Sequence, residues 1–476
     1  MPVSNRTWVW EWKFPARYQR KSIPSQRGFN TFLGYLNGEQ EYYSHVDSET
    51  MEDGMEFYDF GFGNETGYYD VTKVKDGVPC SEGSGRAAWG EEEEENAMRD
   101  PAGVCYIGTY STDAFANRAM EVVKEKTPWD EEPLFLYLAY QSVHSRVGPT
   151  PEGGFTKEEQ SLLDSVYEST LSDLRTGFAG VLLYLDKRIG ELMDLLEAEG
   201  WLENSMIVVA SDNGGCPDYG GGCNYPLRGV KKSVFEGGTK VPGMIWSKSH
   251  LPESVWGTSY DNMMHVTDWL PTLVSAVGGE VIGSAGALDG VDHWDWLTGV
   301  AVEGTGDSGD GPRTEMLYNW DPYLLSSADT MTENLDLVQG AFRQGSWKLL
   351  VNVWCSGYYS FDQDVLKSDP NINAEVTCRN TSLCNDCGDT CAADPSYGYG
   401  DFLVNLDDDP RELRNVLEQY PEIAARLRQR AEEVVFSEYM ESAYVEANVD
   451  SYAFWQAHGW WMTPWFGKLG SDQSFY

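Results

Sequence analysis

The stretch MIVVASDNGG (Met206–Gly215) decides the fold. Five apolar residues give way at once to a polar, glycine-ended loop. A short apolar run bounded by turn residues reads as a strand buried on both faces. Working outward, LFLYLAY (Leu134–Tyr140) follows Pro133 and has the same character, and VPGMIW (Val241–Trp246) is a third such run. Helical patterns alternate with them. From Ser111, the residues Ala114, Phe115, Ala119, Val122 and Val123 recur at helical spacing. Thr156 with Glu159 three places on forms a capping-box pattern. Behind it Phe178, Val181, Leu182, Leu185, Ile189, Leu192, Met193 and Leu196 mark one helix face, stopped by Gly200. His265 to Val277 reads as a helix with Asp268 as its N-cap and Pro271 in the first turn. Strands alternating with helices predict an α/β sandwich around a mostly parallel sheet.

In open α/β sheets ligands sit at the carboxyl ends of strands. The second run leads into Gln141-Ser142-Val143-His144, and the deciding one leads into Ser211-Asp212-Asn213. Asp212 and Asn213 offer hard oxygen ligands, suited to Ca²⁺ or Mg²⁺ rather than zinc. Gly214 and Gly215 allow a sharp backbone turn beside them. His144 has an imidazole suited to passing a proton to a leaving oxygen near neutral pH. In NYPLRGVKKSVFEGG (Asn224–Gly238) the cations Arg228, Lys231 and Lys232 stand out. Each feature also has a plainer reading: a turn after a strand, a structural histidine, solvated lysines.

The 476 residues include 34 Lys+Arg and 76 Asp+Glu, a formal net charge of −42, with 41 % hydrophobic and 13 % aromatic residues. That content supports a large buried core and excludes disorder over most of the length. So negative a field repels nucleic-acid phosphate, which argues against a nucleic-acid partner. An anionic substrate would need local cations to outweigh the field, which is feasible because screening acts beyond ~8 Å at physiological salt. The longest apolar run, Phe178–Leu185, contains Gly180 and falls far short of a membrane span.

Nine cysteines and three N-x-S/T sequons, at Asn5, Asn64 and Asn380, point to a secretory protein with disulfides, although the N-terminus shows no apolar signal region. Cys378, Cys384, Cys387 and Cys391 have zinc-like spacing but read better as disulfides in that compartment. The run Glu91–Glu95 reads as a solvated acidic loop, since contiguous glutamates cannot all converge on one calcium ion. Beyond a Gly/Asp-rich linker over 299–312 the pattern changes. Ser346–Trp354 and Asp401–Leu417 read as strands, with a turn at Asp407–Pro410 and a helix over Pro421–Val435. This is a smaller α+β unit.

Taken in order, RGFNTFLGYLNGEQEYYSH (Arg27–His45), YSTDAF (Tyr110–Phe115), PLFLYLAYQSVH, SDNGG, the N-x-P-L-R-G-x-K and F-E-G-G stretch, HVTDWLPTL (His265–Leu273), LDGVDHW (Leu288–Trp294), RQGSWKLL (Arg343–Leu350) and FLVNLDDDPRELRNV (Phe402–Val416) closely resemble the type I sulfatases. The resemblance is greatest to the arylsulfatase B-like branch, which acts on sulfated galactosamine sugars. It implies an alkaline-phosphatase-like sandwich over residues 27–320, an atypical segment 1–26, and a C-terminal α+β subdomain over 321–476. It also implies Ca²⁺ held in part by Asp212 and Asn213. Lys231 would hold a sulfate oxygen or the leaving group, and His144 would bind sulfate and protonate the departing oxygen. The expected partners are a sulfated carbohydrate or an aryl sulfate, met in the secretory pathway, either outside the cell or in a lysosome-like compartment.

The same resemblance implies a formylglycine nucleophile, made from the first residue of a C/S-x-P-x-R motif. No cysteine here stands in such a motif, and in Ser22-Ile23-Pro24-Ser25-Gln26-Arg27 the arginine falls one place late. The expectation is a family member truncated before Arg27 and inactive as given, its sheet incomplete and its apolar faces bare. A non-catalytic binder of sulfated polysaccharide is the rival reading. A two-metal phosphohydrolase of the same superfamily would carry histidine after the aspartate, where this chain has Asn213.

Overall fold

The computed structural model describes residues 24, 28–35, 41–47, 57–58, 61–63, 68–70, 73–74, 78–79, 106, 108–130, 133–144, 150–170, 173–216, 220–281, 288–300, 311–321, 339–354 and 399–437. Among these, residues within 166–176 and 200–437 make one compact unit, and the remainder makes a second. The acidic run 91–95, the Cys378–Cys391 cluster, the three sequons and the Ser22–Arg27 stretch, apart from Pro24, lie outside the described residues. No described helix is long and apolar enough to cross a membrane.

The first unit is built on a four-stranded antiparallel sheet: Glu315–Asp321, Gln339–Gln344, Trp347–Trp354 and Tyr399–Asn405, in that order. Its register places Phe342 opposite Leu349 and Leu349 opposite Leu403. Period-two alternation sends these side chains to one face. There Phe342, Leu349, Val351 and Leu403 pack on Ala424, Leu427, Ala431 and Val434 of the helix Pro421–Ser437. The opposite face, with Ala341, Leu350, Val353 and Val404, buries Phe235 of the Asn224–Gly238 segment. Both faces are therefore covered, and the sheet holds that segment in place.

The chain is mixed α/β, as the alternation of its patterns implies. Every strand pair among the described residues is antiparallel. Met206–Ala210 and Gly243–Ser247 pair with each other, Val209 opposite Met244. Neither run is buried on both faces: Met244 is 55 % exposed. The helix expected from His265 begins as a tight turn, Val266–Asp268, and continues as Trp269–Ala276. Asp268 stands at the N-cap position of Trp269–Ala276 but makes no side-chain cap bond there; the capping bonds belong to the preceding turn, which His265 caps. The His265 side chain accepts from Thr267 N–H, while Asp268 accepts from His265 N–H. The aspartate is the closing partner of the box and is needed elsewhere.

In the second unit the helix Ser111–Glu125 buries Ala114, Phe115, Ala119 and Val123, positions its periodicity marks. The capping box at the helix Lys157–Thr170 forms as read, with reciprocal bonds between Thr156 and Glu159. The helix Asp173–Ala198 runs to Gly200, whose φ of +79° suits glycine. The run Leu134–Tyr140 is a correction, because it forms no strand. Leu138 and Tyr140 pack on Tyr106, Ala114 and Phe115, while Phe135 and Tyr137 stand 69 % and 71 % exposed. One face is covered by a helix and the other is bare, so the run is half-buried rather than central.

Candidate functional site

The strand Met206–Ala210 delivers its chain into a loop defined by backbone bonds. Ser211 N–H donates to Pro242 O at 3.2 Å, and Gly214 N–H to Gly238 O at 3.0 Å. A Cβ on Gly214 would lie 1.8 Å from the Gly237 oxygen, so only glycine admits this approach. Neither Gly214 nor Gly215 adopts a positive φ. The glycines serve close passage of two backbones rather than the sharp turn the sequence implies.

Asn224 ties this loop to the cationic segment. Its amide oxygen accepts from Gly215 N–H at 2.8 Å, and its amide nitrogen donates to Gly215 O at 2.8 Å and Gly229 O at 3.1 Å. Lys231 N–H donates to the same Gly215 oxygen at 3.1 Å. Lys231, half-buried, is thus held at its backbone against the loop that carries Asp212 and Asn213. Asp212 is exposed and accepts from Asn213 N–H at 2.8 Å, while the Asn213 side-chain nitrogen donates to Gly214 O at 2.9 Å. The Asp212 carboxylate and the Asn213 amide oxygen are the side-chain oxygen donors at this point of the loop. These are hard donors of the kind Ca²⁺ takes, yet two residues cannot fill its shell of about 6–8 oxygens. Among the described residues no group of three or more His, Cys, Asp or Glu could hold a metal.

Arg228 departs from its expectation. It is no surface anion contact but is 2 % exposed, with its guanidinium 4.3 Å over the Phe235 ring and 5.2 Å from that of Phe402. One of its nitrogens donates to Glu412 O at 3.1 Å. Around it lies a charge cluster that no local pattern announces. Lys348 Nζ is 2.7 Å from a Glu236 oxygen and 2.9 Å from a Glu412 oxygen, and Lys348 has no solvent exposure. Glu236 N–H donates to Glu412 Oε2 at 2.6 Å. Burial pushes the Glu236 carboxyl up, but the Lys348 ammonium outweighs it and holds the group below the usual carboxylate range. For Glu412 burial prevails and its carboxyl is pushed up. Burial alone would lower the Lys348 ammonium, yet Glu412 and Glu236 together hold it above the usual lysine range. The signal that could have disclosed Lys348 is the period of its strand, which puts it on the same face as buried Leu350.

A second buried cluster centres on Asp268, which is wholly unexposed. Its carboxylate accepts from Arg313 Nε and Nη2, His293 Nε2, and the N–H groups of His265 and Val291. Burial works against the charge, but the bonds from Arg313 and then His293 hold the carboxyl well below its usual range. Burial, followed by the charge of Arg313, lowers the His265 imidazole.

His144 belongs to the second unit and is described there by itself. Its N–H donates to Gln141 O at 2.9 Å, and its own carbonyl accepts from the Tyr42 hydroxyl at 3.2 Å. The start of the helix Ser111–Glu125 fixes the turn. Ser111 Oγ donates to Gln141 Oε1 at 2.7 Å, and the Thr112 and Ser142 hydroxyls are 2.5 Å apart.

Known proteins are similar to this chain. A family model described as Sulfatase matches residues 12–279. Arylsulfatase J of Mus musculus is 29 % identical over 422 residues, which cover 87 % of this chain and 57 % of the mouse protein. Arylsulfatase A of Bos taurus is 26 % identical over 266 residues, 55 % of this chain and 43 % of its own. This chain therefore spans little more than half the length of the mouse relative. Among solved structures, that of Ps i-CgsB superposes with a TM-score of 0.55 at 18 % identity, covering 92 % of this chain and 72 % of the other. The likeness is one of fold, the alkaline-phosphatase-like α/β arrangement that the motif order implies. Ps i-CgsB has also been solved with k-i-k-neocarrahexaose.

Proposed function

The chain belongs to the sulfatase family, and from that premise we propose that its Ser211–Gly215 loop and Asn224–Gly238 segment form the anion-holding part of a sulfate-ester site. The observation that carries this reading is the bond from Lys231 N–H to Gly215 O. It sets the lysine beside the Asp212–Asn213 loop, a meeting that no local sequence pattern brings about. In this reading Asp212 and Asn213 hold a Ca²⁺ ion together with oxygen donors outside the described residues. That ion, when bound, would polarise the sulfate oxygens. Lys231 binds a sulfate oxygen or the leaving group; for His144, in the second unit, the role of proton donor to the departing sugar or aryl oxygen rests on the motif resemblance alone.

The partner class is a sulfated carbohydrate or an aryl sulfate, and the finer assignment to galactosamine 4-sulfate rests on the motif resemblance. The segmentation into 1–26, a catalytic domain over 27–320 and a subdomain over 321–476 belongs to the same reading. A secretory setting is supported by the nine cysteines and three sequons of the sequence. In this reading the 476 residues, which hold no C/S-x-P-x-R stretch, bind sulfated ligands without turning them over. Calorimetric titration with 4-nitrocatechol sulfate in the presence of Ca²⁺, beside a sulfate-release assay, tests this. Binding that weakens about tenfold or more in Lys231→Ala, with no release, is expected. Binding indifferent to both Lys231→Ala and Asp212→Ala overturns it.

A further inference from the structure

We propose that Lys348, Glu236 and Glu412 are positioning residues for Lys231: through them the C-terminal sheet sets the path of the Arg228–Gly238 segment. What Lys231 binds rests on the sulfate-ester reading, but how it is held does not.

The segment is closed on itself, Gly237 N–H donating to Arg228 O at 2.6 Å and Ser233 N–H to Val230 O at 2.9 Å. Lys231 sits inside this ring. One side of the ring is stapled to the Asp212–Gly215 loop through Asn224, Lys231 N–H and Gly238 O. The other side is gripped by Glu412 at two points: its carboxylate takes Glu236 N–H and its carbonyl takes a nitrogen of Arg228. Glu412 does this with a φ of +53°, a conformation that a residue with a side chain keeps only where its surroundings over-determine it. Lys348, from the middle of the sheet, bridges Glu412 and Glu236 and lies 4.5 Å from the Tyr318 ring. Buried ion groups of this kind add little stability over apolar packing, but here they demand one arrangement of their partners. Those partners reach both ends of the ring that carries Lys231: Glu236 belongs to one end, and Glu412 holds Arg228 at the other.

The test uses the full chain and two measurements. Hydrogen exchange by mass spectrometry compares peptides spanning 224–238 with peptides spanning 347–354 and 401–406. In Lys348→Met, exchange in 224–238 is expected to rise by about tenfold or more while the sheet peptides stay within about twofold, with partial recovery in Lys348→Arg. Titration with 4-nitrocatechol sulfate is then run as a cycle. Lys348→Met weakens binding about tenfold in the native background and adds nothing once Lys231→Ala is present. Unchanged exchange in 224–238, or an equal affinity loss in both backgrounds, overturns the proposal. A native chain that does not bind the probe refutes the sulfate-ester reading, and the exchange comparison still decides the positioning. Should Lys348→Met fail to fold, Glu412→Gln is read by the same comparison, since it keeps an acceptor for Glu236 N–H while removing the charge that faces Lys348.

Discussion

The two buried ion clusters of the first unit are opposite in sign and alike in plan. One places a single ammonium, Lys348, between the carboxylates of Glu236 and Glu412. The other places a single carboxylate, Asp268, between Arg313 and His293. Both centres are shut off from solvent. They differ in how fully the charge is met. Asp268 receives five hydrogen bonds, two of them from the backbone N–H groups of His265 and Val291, and its farthest partner lies 45 positions away. The lysine cluster joins segments 112 and 176 positions apart, and one of its carboxyls is pushed up by burial. A saturated carboxylate stabilises its own neighbourhood. An incompletely compensated trio holds distant segments together at an energetic cost.

Removing each centre in turn should show the contrast directly. Lys348→Met strands two buried carboxylates and should cost about 3–5 kcal/mol in urea unfolding; a cost below about 1 kcal/mol would mean that the trio is not coupled. Asp268→Asn keeps the shape but loses charge-assisted bonds, and about 2–3 kcal/mol is expected by the same measurement. The pH dependence of that second loss carries a sign. The Asp268 carboxyl is depressed in the fold, so its stabilisation is present above the unfolded carboxylate range near pH ~4 and is lost as pH falls below it. The difference between native and Asp268→Asn stability should therefore shrink as pH is lowered from ~7 toward ~3; a difference that grows would erase the distinction between the two clusters. Glu412 has the opposite sign, its raised carboxyl favouring the fold at low pH and losing that contribution as pH rises past ~4.5. At neutral pH Glu412→Gln should thus cost about 1–2 kcal/mol, below the lysine variant. The smallest effect belongs to the strand pair Met206–Ala210 and Gly243–Ser247, where exposed Val209 replaced in Val209→Thr should change stability by no more than about 0.5 kcal/mol.

Local chemistry is the legible part of this sequence. The helix at Ser111, the Thr156–Glu159 box, the Met206–Ala210 strand and the Pro421 helix are written in periodicity and caps that act over a few residues. The loop with Asp212 and Asn213 and the segment with Lys231 can likewise be read, and their backbones do meet. Leu134–Tyr140 misleads because an apolar run does not state how many of its faces will be covered, and here a helix covers one. Arg228 misleads because a cation in an acidic chain looks available for ligands, whereas two aromatic rings and a carbonyl enclose it. Asp268 reads as a cap from its place at a helix start, but its strongest partner, Arg313, lies 45 positions on. Pairings of that span leave no period in the sequence.

Asn224 has a consequence for how the protein ages. Its carboxamide both gives and accepts hydrogen bonds at the joint between Gly215 and Gly229. Deamidation would exchange the donating nitrogen for an anionic oxygen facing two carbonyl oxygens, turning attraction into repulsion. So small a chemical change would then spring the joint that keeps Lys231 beside its loop.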